Sequence, residues 1–95
     1  MNEINNPLAW AARAEEDYSL ARSALRRKKP LISGACFHAQ QCAEKYLKAV
    51  LVAKGQAFPK THDLLALKDL CTQAGQFLAV DANQLDVLSS YAVQV

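Results

Sequence analysis

Ala35-Cys36-Phe37-His38-Ala39-Gln40-Gln41-Cys42-Ala43-Glu44-Lys45-Tyr46-Leu47-Lys48-Ala49 is the stretch whose reading decides the fold. Apolar and small residues recur in it every three or four positions, the spacing of one helix face. Extended in both directions, the stripe holds Ile32, Ala35, Cys36, Ala39, Gln40, Ala43, Tyr46, Leu47, Val50 and Leu51. It predicts a helix from about Leu31 to Ala53, with Gly55 as C-terminal cap. The stripe is wide, and Cys42 and Ala49 carry small residues round to the other side. Such a helix packs on more than one neighbour or on a second subunit.

Upstream, Asn6-Pro7 reads as an N-cap followed by proline at the first helical position. Trp10, Ala14, Asp17, Tyr18, Ala21, Ala24 and Leu25 then share one face. Arg26-Arg27-Lys28-Lys29 suits a helix C-terminus, where cations meet the partial negative charge, and Pro30 breaks the helix. Downstream, residues 56–60 read as a loop. A third helix opens at Thr61-His62-Asp63, with Thr61 or Asp63 as cap, and buries Leu64, Leu67, Leu70, Cys71 and Ala74. Gly75 ends or bends it. A fourth is expected from Asp81, with Leu85, Leu88, Ala92 and Val95 aligned. No stop signal follows, so the expectation is a chain that ends inside a helix.

Composition agrees. Ala and Leu account for 30 of 95 residues, against ten Val, Ile or Thr, a balance that favours helices over a β-sandwich or barrel. The 52% apolar content argues against disorder. No apolar run is long enough to span a membrane, and the first residues lack the pattern of a signal peptide. The expected location is the cytoplasm, with no membrane partner. Surface scaling gives a chain of this size about two-thirds burial, enough for one modest core. The net charge of +2 divides unevenly, +5 over residues 1–60 and −3 over 61–95.

Few patterns point to chemistry. Cys36 and Cys42 cannot pair on one helix, and three cysteines make no disulfide framework. Each reads as a small core residue. His38, His62 and the cysteines lack zinc spacing, so no metal is expected. No serine sits in a nucleophile elbow, and the three glycines form no phosphate loop. No cofactor is expected. Asp17 and Gln40 interrupt apolar stripes and need partners. A hydrogen bond from Asp17 to Gln40, Lys45 or His62 would set helix register. His38, Gln41, Lys45 and Lys48 read as a solvated face, with a phosphate or partner patch as the sharper alternative. Glu44 and Lys48 stand in the favourable i, i+4 order, worth about 0.2–0.5 kcal/mol on an exposed helix.

Trp10-x3-Ala14-x2-Asp17-Tyr18-x2-Ala21, the opening stretch, and Lys60-Thr61-His62-Asp63-Leu64 together resemble the prokaryotic HEPN domain family. Gln40-Gln41-x2-Glu44-Lys45-x2-Lys48-Ala49 is the most specific part, and Ser89-Ser90-Tyr91 a weaker one. The resemblance implies an all-α, antiparallel up-and-down four-helix bundle that commonly dimerises. It also implies a small nucleotidyltransferase as partner, in the manner of toxin–antitoxin pairs. Some members are metal-independent endoribonucleases that use an Arg, four to six residues, and a His; others are non-catalytic or proposed nucleotide binders. Here the motif is missing. His38 would need Arg among Leu31, Ile32 and Ser33, and His62 among Gly55, Gln56 and Ala57. Relatives usually continue past the Tyr91 region into another helix.

The expectation is therefore one HEPN-like domain over residues 1–95, lacking its C-terminal helix. It would act as a homodimeric binding or regulatory module paired with a nucleotidyltransferase. The alternatives are an endoribonuclease toxin with catalytic residues beyond Val95, or a protein that binds a nucleotide or RNA. The family motif selects Gln40, Glu44, Lys45, Lys48, His62 and Asp63 as binding candidates. No catalytic residue is assigned, and Asp17 is expected to be structural.

Overall fold

The computed structural model describes residues 6–78. Three helices and no strand occur among them: α1 (Pro7–Arg26), α2 (Ile32–Ala53) and α3 (Leu64–Gln73). The expected fourth helix, with Asp81, Leu85, Leu88, Ala92 and Val95, lies outside the described residues, as do Ser89-Ser90-Tyr91.

The ends follow from local chemistry. The Asn6 side chain accepts from the Leu8 N–H at 3.0 Å, and Pro7 supplies a first helical residue that needs no hydrogen bond. α1 stops at Arg26, and the Leu31 N–H reaches back to the Ala24 carbonyl at 2.9 Å, closing a tight elbow. α2 begins without a side-chain cap. At its other end Gly55, at φ 68°, turns the chain left-handed. There Gly55 N–H donates to Val52 and Gln56 N–H to Leu51, which satisfies two terminal carbonyls. Gly75, at φ 90°, ends α3 with the same pair of bonds, to Thr72 and Cys71. Asp63 rather than Thr61 caps α3, accepting from Leu65 and Ala66.

α1 and α2 form an antiparallel hairpin. Their cross-contacts run in opposite senses, with Asp17 opposite His38 and Lys45, Glu15 bonded to Tyr46, and Trp10 beside Lys48. Ala14, Ala21 and Ala35 are buried where the helices meet, and small side chains permit close approach. α3 packs on the C-terminal half of α2, where Leu47, Leu51, Leu64, Leu67 and Cys71 make the core. Phe58, Leu70 and Leu78 lie partly buried against it.

The stripes are narrower than the sequence suggests. Tyr18, Leu25, Ile32 and Tyr46 were expected on buried faces, yet each is exposed, Ile32 by 58%. Alanines set the α1–α2 contact, so the large side chains flanking them splay outward. Among the described residues no helix is long and apolar enough to cross a membrane.

Candidate functional site

Glu44 lies at the centre of the polar interior. It is buried, one turn beyond Gln40 and one before Lys48 on the same face of α2. The Gln40 amide donates to Glu44 Oε1 at 3.1 Å, and Lys48 Nζ to Oε2 at 3.0 Å. His62 Nδ1 lies 2.7 Å from Oε1. A carboxylate only accepts, so this ring nitrogen carries the hydrogen. Gln40 donates a second bond to the His62 backbone carbonyl at 3.2 Å, and Gln41 donates to Gln40 Oε1 at 2.7 Å. The segment ahead of α3 is thus fastened to mid-α2 through both the backbone and the ring of His62.

Lys48 is held from a second direction. Its ammonium lies 5.6 Å from the Trp10 ring centroid and 5.8 Å from that of Phe58, and the two rings meet edge to face. A desolvated ammonium between a carboxylate and two aromatic faces is well compensated. Burial pushes the Glu44 pKa up. The hydrogen bonds from His62, Lys48 and Gln40, with the Lys48 charge, outweigh it and hold the carboxyl below its ordinary value.

A second cluster pins α1 to α2. Asp17 is buried, and its carboxylate accepts from Lys45 Nζ at 2.5 Å while Oδ1 lies 2.8 Å from His38 Nδ1. Of the partners expected for Asp17, Lys45 is correct. Gln40 and His62 belong to the Glu44 network instead. His38 was missed, because its pairing depends on how two helices face each other. The solvated face expected for His38, Gln41, Lys45 and Lys48 is overturned. None of the four is exposed, and Lys48 is buried. The Glu44–Lys48 pair is likewise an interior ion pair rather than a surface one.

The six motif residues therefore divide. Gln40, Glu44, Lys48 and His62 form one network; Lys45 belongs to the Asp17 cluster; Asp63 is a helix cap. The His62 side chain is 63% exposed and presents its free edge to solvent. No buried side-chain nitrogen or oxygen among the described residues lacks a hydrogen-bond partner. Nor does any group of three His, Cys, Asp or Glu among them stand where it could hold a metal ion. The described cysteines are free thiols. Burial raises the pKa of Cys71; burial first, then the charges of Asp17 and Glu15, raises that of Cys42 against a lowering by Lys45. Both stay protonated at neutral pH, which is poor nucleophile chemistry.

A family model described as HEPN domain matches residues 8–95. No curated protein and no solved structure matches the chain. The match takes in both polar clusters and, but for Pro7, the three helices of the described residues, and the chain belongs to the HEPN domain family.

Proposed function

We propose that the chain is a HEPN-type binding and regulatory module that acts as a homodimer with a small nucleotidyltransferase partner, as in toxin–antitoxin pairs. One observation carries this reading. Three of the motif's polar groups, Gln40, Glu44 and Lys48, are buried inside the fold, with Glu44 taking three donors and Lys48 held by Glu44, Trp10 and Phe58. A motif spent on architecture leaves function to the surfaces it shapes. Absence of the Arg-x4–6-His spacing supports the same conclusion, and so do the exposed Leu25 and Ile32 beside the elbow. The test is to read the neighbouring genes for a small nucleotidyltransferase and co-express the pair, followed by gel filtration with light scattering. One stable complex is expected. Separate elution of two folded proteins would contradict the proposal.

His62 favours a second reading, metal-independent RNA cleavage. A mostly exposed imidazole whose Nδ1–H is fixed by a buried carboxylate has the arrangement of a general base. This reading needs cleavage in the presence of chelator that His62→Gln abolishes.

A further inference from the structure

α2 is packed on two sides. Gln40, Glu44, Leu47 and Leu51 turn to α3 and the segment before it, and His38 and Lys45 turn to α1. A third stripe remains. Ile32, Cys36, Ala39, Ala43 and Tyr46 follow one another in steps of four and three, the heptad spacing of a helix-packing seam. Ala43 touches the core at its edge, while Ile32 and Tyr46 are exposed. α1 carries the same spacing in Ala11, Glu15, Tyr18, Arg22 and Leu25, with Tyr18 and Leu25 exposed. The Tyr46 hydroxyl donates to Glu15, so the two seams lie on the same side of the hairpin.

Each seam is complementary to its own reverse. Read outward from Tyr18, Glu15 and Arg22 stand one turn away on either side with opposite charges, and Ala11 answers Leu25, small against large. Read outward from Ala39, Cys36 answers Ala43, and Ile32 answers Tyr46. Asp17 bonds both His38 and Lys45, which puts Tyr18 and Ala39 at about the same level along the hairpin. One two-fold axis through that level therefore serves both seams. The two charges are seated on the face itself. Arg22 lies 5.5 Å from the Tyr18 ring centroid, and Glu15 takes the Tyr46 hydroxyl.

We propose that this face of the α1–α2 hairpin docks on the same face of a second copy, antiparallel, with α1 on α1 and α2 on α2. The proposal rests on the homodimer stated above and names its face and its register. The contact is isologous, so each pair is made twice. Glu15 meets the partner's Arg22, Tyr18 lies at the axis, and Ile32 packs beside the partner's Tyr46. Cys36 and Ala39 are small and let the two α2 backbones approach. Heptad spacing on four antiparallel helices gives the shallow crossing of a bundle. The occupant is a second copy because the charges and sizes that the face needs are the ones it carries. A purely acidic or purely basic partner would answer one of Glu15 and Arg22 and repel the other.

The test is sedimentation equilibrium of the full chain and its variants over a range of concentrations, with helix content followed by circular dichroism. Glu15→Arg and Arg22→Glu should each raise the dimer dissociation constant about tenfold or more, since each sets like charges together at both symmetric contacts. The double variant puts opposite charges back across the axis and should return to near the wild-type value. Ile32→Glu should also weaken the dimer about tenfold or more. Leu20→Gln should not. Leu20 is exposed too, but it stands two residues from both Tyr18 and Arg22 and so faces the other way. A chain that stays monomeric at every concentration removes the homodimer and this face with it. A dimer that withstands both single reversals and Ile32→Glu, all folded, keeps the homodimer and overturns the face. Single variants that weaken the dimer without rescue in the double would overturn the antiparallel register.

Discussion

Glu44 shows how a charged residue can belong to the interior of a small helical protein. Three donors from three residues converge on its two oxygens. Removing it leaves Lys48 buried with no counter-charge, and breaking such a pair costs about 3–5 kcal/mol. Glu44→Ala is therefore expected to unfold at a much lower denaturant midpoint. Glu44→Gln, which keeps the shape and one acceptor, should lose about 1–3 kcal/mol. The pH dependence has a definite sign. The folded carboxyl sits below its ordinary value of 4.5. Its contribution to stability is complete above that value and drains away as pH falls through the folded pKa. Denaturation curves from pH 7 downward should show the wild type losing stability faster than Glu44→Gln below about pH 5. Parallel curves would mean that the carboxylate is not held in this way.

At the scale of elements, the helices are set by their ends and by two polar pins. Asp63 accepts two N–H groups of α3, so Asp63→Ala should cost about 1 kcal/mol while Asp63→Asn costs little, as thermal melts would show. Gly55 holds a left-handed turn, and Gly55→Ala should also cost about 1 kcal/mol although its Cβ would meet nothing. Asp17 pins α1 to α2. A double-mutant cycle of Asp17→Ala with Lys45→Met should return a coupling of about 0.5–3 kcal/mol. Additivity would show that the pin is idle. Much of this was legible in the sequence. Asn6-Pro7, the two glycines and the 31–53 stripe mark element ends because each acts through its own backbone. The facing of the helices was not legible. Periodicity placed Tyr46 inside and Lys48 on a solvated patch. Alanine-mediated packing and the aromatic rings of Trp10 and Phe58 reverse that order, and neither can be read from one helix alone.

At the scale of the molecule, a HEPN-family chain presents exposed apolar side chains, a basic elbow that no carboxylate among the described residues meets, and a motif whose Gln40, Glu44 and Lys48 are buried. Light scattering of the purified protein should give twice the 10.4 kDa chain mass; a concentration-independent monomer would remove the dimer from the proposal. The candidate site was legible as a list of residues but not as an arrangement. The motif named Gln40, Glu44, Lys48 and His62 together, and the structure joins them as a clamp between α2 and the start of α3. The claim that matters most is that this clamp is architecture and not a reacting centre. Incubating the protein with RNA in chelator, beside His62→Gln, tests it most directly. Intact RNA with both proteins is the predicted result, and cleavage by the wild type that disappears in folded His62→Gln would contradict it.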